Sequence, residues 1–271
     1  MSKPSLLPDR AVIRITGQDR HKFLQGVITQ DMGKLSPETP IFSALLTPQG
    51  KILADFIIVD TREALFVDCN KENSTALMKR LSLYKLRAKV SIDLDEELCV
   101  LADKSRPTIE GVASYPDPRH EKLGWRVVAP SGEHVSNADY NSTRIELAVA
   151  EFGQDFGADE MFLLDVNYDA LNAVSYKKGC FIGQEVSSRM KRKGEPRRRT
   201  LIAEFDEPAP QKRAEIVAGG SKLGELMSCS GNLALASVRI DRWEKAISER
   251  MPLECANKSL QLRVPEYLEQ G

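Results

Sequence analysis

The segment KKGCFIGQE, residues 177–185, places one cysteine between glycines, behind two lysines and ahead of a glutamine and a glutamate. Glycine adopts backbone conformations that other residues resist, and it lets a ligand or another chain come close. Lys177 and Lys178 beside the thiol favour its thiolate form, which is the nucleophilic and metal-binding form. From these residues alone, a functional Cys180 is as well supported as its alternative. The alternative from the residues alone is a buried structural cysteine in a strand-to-turn segment.

The composition is that of an ordinary globular protein. Of the 271 residues, 42% are apolar and 28% are charged, and the formal net charge is −1, so overall charge does not draw the protein to nucleic acid or membrane. Its five cysteines are widely spaced without a CxxC pair, which predicts reduced thiols. The longest apolar run, residues 52–59, is too short for a membrane span. With no apolar signal sequence at its start, we predict a cytoplasmic protein.

The region before residue 177 is predicted to contain both strands and helices. Strands are predicted at residues 11–17, 52–59, 64–68, 97–102 and 124–129. One helix is predicted to begin at Asp19 as its N-cap and another at Asn73 or Ser74. A third is predicted over residues 141–153, ending at Gly153.

The region after residue 194 has a different pattern. Short apolar segments broken by glycine and proline are found at residues 199–205, 214–220, 221–230 and 233–240. This pattern is typical of a small antiparallel barrel or sandwich. A domain boundary is therefore expected near Gly194 to Arg197, and the chain as a whole is expected to be a multidomain α+β protein.

The strip RMKRKGEPRRR, residues 189–199, contains seven Lys or Arg residues and one Glu. Such a strip could attract a phosphate backbone or an anionic ligand with a steep dependence on salt. The alternative is a solvated linker between domains, and the strip lacks the aromatic residues that stack on bases.

An acidic run precedes the cysteine segment, and one of its carboxylates could accept hydrogen bonds from a pterin-like heterocycle. Its members are Asp155, Asp159, Glu160, Asp165 and Asp169. The histidines have no metal-binding spacing, so no metal site is predicted; they are His21, His120 and His134. Neither a P-loop nor a GxGxxG motif is present, so the sequence gives no support for nucleotide hydrolysis or dinucleotide redox chemistry.

The segment NYDALNAVSYKKGCFIGQEVSSRM, residues 167–190, resembles the signature of the YgfZ family. That family comprises folate-binding relatives of the glycine-cleavage aminomethyltransferase (T-protein) and is implicated in iron–sulfur protein maturation and tRNA modification. Four other segments resemble family landmarks in the same order: IRITGQDRHKFLQGVITQD, LLTPQGKILADFIIV, LSLYKLRAKVSI and SKLGELMSCSGNLALASVRID. The resemblance therefore covers nearly the whole chain.

The resemblance implies roles for particular residues. Cys180 and Lys178 would be the catalytic pair, and the contacts to tetrahydrofolate would be Asp165, Asn167, Gln184, Glu185 and Arg189. The chain departs from the family pattern at Phe181, where tyrosine is usual, and at Leu163, where proline is expected.

The implied architecture is a three-domain T-protein-like cloverleaf. Residues 1–50 and 142–195 would form a discontinuous folate-binding domain 1. Residues 51–141 would form an inserted α+β domain 2, and residues 196–271 a C-terminal antiparallel β-barrel. Tetrahydrofolate, or a one-carbon derivative of it, would occupy a central channel.

Three functions are compatible with the resemblance. The first is a tetrahydrofolate-binding factor that supports iron–sulfur protein maturation and tRNA thiomethylation, with Cys180 as a functional thiol. The second is a folate-dependent aminomethyl transferase, and the third is a folate-binding protein without catalysis. The expected partners are iron–sulfur client or assembly proteins, with a weak tRNA contact through residues 189–199 as a further option. A monomer without membrane contact is expected.

Overall fold

The architecture comes from a computed structural model that describes residues 4–107, 112–132, 134, 139–192, 194 and 196–269. The strands, in chain order, are β1 Ser5–Leu6, β2 Arg10–Thr16, β3 Ile41–Leu46, β4 Ile52–Asp60, β5 Leu65–Asn70, β6 Ser91–Asp95, β7 Leu98–Asp103, β8 Ala113–Pro116, β9 Trp125–Pro130, β10 Arg198–Phe205, β11 Glu215–Ala218, β12 Ser221–Ser230, β13 Leu233–Arg239, β14 Leu253–Cys255 and β15 Lys258–Arg263. The α-helices are α1 Arg20–Gln25, α2 Ser74–Lys85, α3 Asp139–Glu146, α4 Gln184–Arg192, α5 Ile240–Ser248 and α6 Glu266–Glu269. Short 3₁₀ helices lie at Met32–Lys34 and Glu121–Leu123.

A five-stranded antiparallel sheet has the spatial order β3-β4-β5-β2-β6. Helices α1 and α2 cover one face of it, because Leu24 of α1 and Leu81 of α2 pack with Ile13 and Ile15 of β2 in one apolar cluster. Residues on the opposite face, such as Val12, join a larger cluster at the centre of the molecule. The alternation of side chains along β2 therefore divides the sheet between two cores.

A four-stranded antiparallel sheet has the order β1-β7-β9-β8. The beginning of the chain supplies its edge strand, since Ser5 and Leu6 pair with Ala102 and Leu101. One face of this sheet contributes Val100 and other side chains to the central cluster. The central cluster therefore joins the two sheets.

The C-terminal unit is a closed antiparallel barrel with the order β10-β13-β12-β11-β14-β15. It closes because β10 pairs with β13 on one side and with β15 on the other. Ile202, Met227 and Leu235 of the barrel pack into the central cluster. The predicted α+β class and the predicted C-terminal barrel are confirmed.

Two local predictions are only partly right. The helix expected over residues 141–153 is α3, which ends at Glu146 because the chain folds back there: the Val149 amide donates to the Arg144 carbonyl. Asp19 stands at the N-cap position of α1 as predicted, but its side chain makes no capping hydrogen bond. Its carboxylate accepts instead from the Lys89 amide at 2.8 Å, which ties the start of α1 to the segment before β6.

The expected boundary between residues 50 and 51 falls in the turn between β3 and β4, which are neighbours in one sheet. The expected start of the barrel at residue 196 lies just before β10. The three-domain division stays a prediction. Within the described residues, the helices are all too short or too polar to cross a membrane.

The connection from residue 147 to 183 carries the cysteine segment and consists of turns and isolated bridges. Backbone hydrogen bonds fix it to the five-stranded sheet, since the Ile52 amide donates to the Met161 carbonyl. The Thr29 hydroxyl donates to the Ala173 carbonyl at 2.6 Å, and the Ser175 amide donates to the Thr29 carbonyl. The cysteine segment is thereby placed against residues 28–31.

Candidate functional site

Cys180 is an exposed free thiol on a loop that leads into α4. The next residue, Phe181, is buried in the central cluster, and Ile182 packs on the apolar layer beneath α1 and α2. The loop is therefore anchored immediately beside its exposed thiol. The alternative of a buried structural cysteine does not describe this position.

Lys178 fixes the loop to the segment that follows α1. Its side chain is buried, and its ammonium donates to the carbonyl oxygens of Ile28 and Gln30, each at 2.8 Å. The ammonium also lies 5.5 Å from the centre of the Phe181 ring. Burial lowers the pKa of Lys178 to about 8, and the nearby Asp31 carboxylate opposes that shift. The contacts make Lys178 an anchor of the loop, and the predicted catalytic role stays a prediction.

Gly183 lets the end of the loop lie against the turn between β3 and β4. Its φ is +78°, and a Cβ there would lie 2.6 Å from the Thr47 carbonyl oxygen and 3.1 Å from the Gly50 Cα. No other residue fits that contact without moving backbone. The cysteine segment and the segment LLTPQGK, residues 45–51, therefore meet in space.

The remaining residues of the cysteine segment lie on α4. Glu185 and Arg189 are exposed and Gln184 is half-buried, whereas Ser187 faces inward. Among the described contacts, no hydrogen bond or ion pair joins these three predicted folate contacts to the other two, Asp165 and Asn167.

Asn167 uses its side chain within the protein. Its amide nitrogen donates to the Thr200 carbonyl at 2.7 Å and to the Tyr267 hydroxyl at 3.0 Å, which binds the connection to the barrel and to α6. Asp165 is buried and accepts from the Phe162 amide at 3.0 Å. Burial raises the pKa of the Asp165 carboxyl. Both residues hold the fold at the junction with the barrel.

The basic strip is partly neutralised by Asp169. Lys191 of α4 and Arg199 of β10 both pair with this one carboxylate, at 3.1 and 2.5 Å, and these cations hold the pKa of Asp169 below its usual value. Arg189, Arg192 and Arg197 remain exposed. The strip therefore bridges α4 and the barrel and has a smaller free charge than its sequence indicates.

The centre of the protein contains a network of buried charges that the sequence analysis missed. Arg126 donates to Asp68 at 2.6 Å and to Asp117 at 2.9 Å. Arg119 donates to Asp117 and to Glu151, each at 2.6 Å. The nearby arginines lower the pKa of Asp117 to about 2 and hold that of Glu151 well below its usual range.

The network joins the three sheets. The four arginines are Arg10, Arg119, Arg126 and Arg144, and the five acids are Asp55, Asp68, Asp117, Glu151 and Asp155. Arg144 of α3 pairs with Asp155 at 2.7 Å and donates to the Ser228 hydroxyl on β12, so the barrel is included. A charged residue inside an apolar strand, such as Arg126 in WRVVAP, was the signal available from the sequence.

Asp55 is the poorly paired acid of the network. Its Oδ2 accepts from the Tyr168 hydroxyl and from the Phe152 amide, but its Oδ1 has no hydrogen-bond donor and lies 3.8 Å from Arg10 Nη1. Burial raises the pKa of the Asp55 carboxyl. Since five acids face four arginines, Asp55 is the carboxyl that can hold a proton inside the protein.

A cleft of about 400 Å³ opens between the residues that anchor the loop and the central network. Its lining includes Gln30, Phe42, Pro116, Pro118 and Asn172. The Gln30 amide donates to the Asn172 carbonyl, and the Asn172 amide donates to the Pro118 carbonyl, so hydrogen bonds join three sides of the cleft. Behind it, the edge of the Phe42 ring meets Tyr168, the hydrogen-bond partner of Asp55.

Asn167 uses its side-chain amide within the protein, and Gln184, Glu185 and Arg189 lie on α4; the assignment of these residues as folate contacts stays a prediction. The lining of the cleft combines apolar groups from Phe42 and two prolines with the side chains of Gln30 and Asn172, a mixture common in small-molecule sites. Within the described residues, no group of three or more His, Cys, Asp or Glu side chains could hold a metal ion.

Comparison with known proteins first identifies the C-terminal unit. Residues 197–270 match the family described as the CAF17 C-terminal β-barrel domain, and this range corresponds to the closed barrel. The whole chain also superposes on the glycine cleavage system aminomethyltransferase T from Bartonella henselae, with a TM-score of 0.70 over 99% of this chain and 87% of that one. The fold is that of aminomethyltransferase T. Because the two sequences are 16% identical, this likeness defines the architecture alone.

The sequence relatives carry a different name. The human iron–sulfur cluster assembly factor IBA57, mitochondrial, is 28% identical over 96% of this chain and 84% of its own length. The mouse protein of the same name is 28% identical over 86% of this chain and 76% of its own length. The chain is thus similar in sequence to iron–sulfur cluster assembly factors, as the resemblance predicted, and the name YgfZ stays a prediction.

Proposed function

We propose that this protein is a maturation factor for iron–sulfur proteins and that the Cys180 thiol acts directly on a client or assembly protein. The observation that carries the proposal is an exposed thiol on a loop that is fixed from beneath. Lys178 and Gly183 hold the loop through backbone contacts, so Cys180 is presented in one position. The names of its relatives, iron–sulfur cluster assembly factors, support the same function.

The chemistry proposed for Cys180 is transient ligation of iron: the thiol gives up its proton, and its sulfur takes a coordination position on the iron that another ligand has left. Clusters are held by several thiolates, commonly four. A single cysteine cannot complete that set, so the other ligands belong to the client or the donor protein. An exposed position suits this sharing, since both proteins must reach the same iron atoms. The cluster is cargo of the reaction and not a resident cofactor.

The test is complementation of a host that lacks its own family member, read as iron–sulfur enzyme activity and as thiomethylated tRNA. Wild type should restore both, and Cys180→Ala and Cys180→Ser should restore neither at matched protein levels. Cys99→Ala is the control, because Cys99 is a partly exposed thiol on β7. Equal rescue by wild type and Cys180→Ala would make the thiol structural and contradict the proposal.

We further propose that tetrahydrofolate or a one-carbon derivative binds in the Phe42 cleft. Phe42 and the two prolines would hold the flat ring, and the side-chain amides of Gln30 and Asn172 would exchange their present hydrogen bonds to backbone carbonyls for bonds to its polar edge. When bound, folate would supply one-carbon chemistry. Titration with tetrahydrofolate should show binding that Phe42→Ala weakens and that Asn167→Ala leaves unchanged in the folded protein. Loss of binding in the Asn167 variant alone would contradict a site in this cleft and would favour the folate contacts predicted from the sequence.

A second candidate function is a folate-dependent aminomethyl transferase, favoured by one observation. Asp55 is a buried carboxyl with a raised pKa and one oxygen without a donor, and such a group can give or take a proton. Purified protein would be assayed for transfer from an aminomethyl-lipoyl carrier protein to tetrahydrofolate, with release of ammonia. Activity that disappears in Asp55→Asn but persists in Cys180→Ala would favour the transferase over the maturation factor.

The remaining proposals concern tRNA and the cell compartment. The tRNA contact would use Arg189, Arg192 and Arg197, because Asp169 already neutralises two other cations of the strip. Retention of tRNA on a filter at several salt concentrations would detect it, and a triple substitution of these arginines by Gln should make the affinity for tRNA depend less steeply on salt.

A cytoplasmic location is likewise a proposal, to be checked by fractionation, since the named relatives are mitochondrial.

A further inference from the structure

The end of helix α2 presents two leucines to solvent. Leu83 is 68% exposed and Leu86, the residue after the helix, is 89% exposed. The other leucines of the helix, Leu77 and Leu81, are buried against the five-stranded sheet. A leucine side chain stabilises a fold when it is buried, so the fold gains little from placing apolar side chains at the two exposed positions.

The backbone at Leu86 is also unfavourable for leucine. Its φ is 45° and its ψ is −110°, and the Ala88 amide donates to the Lys85 carbonyl at 2.8 Å. These values describe the first central position of a type II′ turn, where glycine is strongly preferred. Neither packing nor conformation explains a leucine at this position, and strain of this kind concentrates at functional sites.

The turn is held firmly, so its exposure is built into the fold. The Lys89 amide donates to the Asp19 carboxylate at 2.8 Å. On the other side, Gly17 has a φ of +103°, and a Cβ there would lie 2.1 Å from the Lys89 carbonyl oxygen. The chain therefore uses a glycine and an aspartate to keep this segment in place, and Leu86 projects from a fixed base.

The same surface is strongly basic. Residues 73–92 contain five Lys or Arg residues and no Asp or Glu: Lys79, Arg80, Lys85, Arg87 and Lys89. Among the described residues, none of these five side chains forms an ion pair or a hydrogen bond. Exposed cations elsewhere, such as Arg213 on the barrel, do pair with neighbouring acids. The charge at the end of α2 is therefore available to a partner.

We propose that Lys79, Arg80, Leu83, Leu86 and Arg87, here called the α2-end patch, form the docking surface for an acidic face of an iron–sulfur client or assembly protein. The two leucines would enter an apolar depression on the partner, and the cations would pair with acids at its rim. This inference rests on the proposed function, because that function requires a protein partner at Cys180.

The position of the patch agrees with such a partner. Ile182, two residues after Cys180, packs on the same apolar layer as Leu81 and Tyr84 of α2. The cysteine loop and the α2-end patch therefore both contact the apolar layer on the helix-covered side, but at opposite edges of the five-stranded sheet: the loop lies against the turn between β3 and β4, and the patch lies at the entry to β6. A client that docks on the patch would have to span this side of the sheet to present its ligands to the thiol.

The test uses the purified apo-form of an iron–sulfur enzyme whose activity wild type restores in the complementation host. Its binding to the full chain is titrated at low and high salt. Leu83→Ala with Leu86→Gly should weaken binding roughly tenfold, as expected for apolar anchors of an interface. Arg80→Glu with Arg87→Glu should weaken it similarly and reduce its salt dependence. Ile247→Ala with Lys245→Glu, on exposed positions of α5, is the matched control and should bind like wild type.

Thermal unfolding separates docking from folding. Leu86→Gly alone should raise the unfolding midpoint, because it relieves the positive φ, while it lowers both affinity for the apo-enzyme and rescue in the host. Unchanged affinity in both patch variants would overturn the proposal, even where wild type rescues fully. Sedimentation of wild type, but not of the leucine variant, with phosphatidylserine–phosphatidylcholine vesicles would identify an anionic membrane as the occupant and overturn it too. Failure of wild type to rescue would contradict the proposed function instead.

Discussion

The centre of the protein and the Cys180 loop both bury cations, but they satisfy those cations in different ways. Arg126 at the centre meets the carboxylates of Asp68 and Asp117, whereas Lys178 under the loop meets two backbone carbonyls. Charge pairs at the centre join strands from distant parts of the chain. The carbonyl contacts under the loop fix a short segment and leave the adjacent thiol free.

The two regions therefore have different roles: the central network stabilises the fold, and the loop exposes Cys180 to a partner. Every acid and arginine of the central network is buried, so the network can hold three sheets together but cannot touch a protein partner. Cys180 is exposed on a loop with fixed ends, so it can touch a partner but contributes little to the fold. Substitutions at the centre should therefore change mainly the free energy of unfolding, and substitutions under the loop should also change the reactivity of Cys180.

The largest effect is expected for Arg126→Leu. It leaves Asp68 and Asp117 without their shared partner inside the protein, and breaking one side of a buried ion pair costs about 3–5 kcal/mol. Urea unfolding measures the loss. Arg189→Leu on the exposed face of α4 is the control and should change stability by less than about 0.5 kcal/mol. A small effect of Arg126→Leu would show that the network is dispensable.

Lys178→Met should have the next largest effect and should act on the loop. It leaves the carbonyls of Ile28 and Gln30 without a donor, and an unsatisfied buried polar group costs about 1–3 kcal/mol. We expect a loss of about 2 kcal/mol in urea unfolding and faster reaction of Cys180 with a disulfide reagent, because the loop loosens. Lys177→Met, on the exposed neighbour, is the control. Unchanged thiol reactivity would mean that Lys178 does not position Cys180.

The sequence predicted the loop better than the centre, for a physical reason. The cysteine segment is contiguous, and its glycines and lysines act on each other within nine residues. Gly183 does approach another backbone closely, as the glycine pattern indicated. The contacts of Lys178 with the carbonyls of Ile28 and Gln30 could not be predicted from the cysteine segment, because those carbonyls belong to a distant segment of the chain.

The central network could not be assembled from the sequence, because its members are scattered between residues 10 and 155. Each of them stands alone in an apolar strand or in a turn, and only the order of the strands brings them together. Barrel strands β10–β13 were predictable from short apolar segments between glycine and proline, whereas β14 and β15 were missed. The end of α3 was missed too, since the fold-back at Arg144 depends on its pairing with Asp155.

The acid sensitivity of the protein should come from the centre and not from the loop. The arginines lower the pKa of Asp117 from 3.8 to about 2 in the folded protein. A depressed pKa stabilises the fold above the unfolded value and loses that contribution as pH falls from about 4 to 2. The loss is about 2 kcal/mol at 1.36 kcal/mol per pKa unit. Unfolding measured across that range should show it, and Asp117→Asn should remove this part of the pH dependence while lowering stability at neutral pH.

Asp55→Asn should have the smallest effect on stability, and it tests whether Asp55 behaves differently from the other acids of the network. Burial raises the pKa of Asp55, so its contribution is present below the unfolded value and is lost as pH rises through the folded value. Burial penalises the charged form of this carboxyl, a cost that asparagine avoids, and the asparagine oxygen can still accept from Tyr168 and Phe152. We expect a change below about 1 kcal/mol at pH 7, in the stabilising direction. Asp68→Asn is the control and should cost about 3 kcal/mol, because Asp68 accepts from two buried arginines. Equal losses in the two variants would mean that Asp55 is ionised and paired like its neighbours, and would remove the basis for a proton-holding group at the centre.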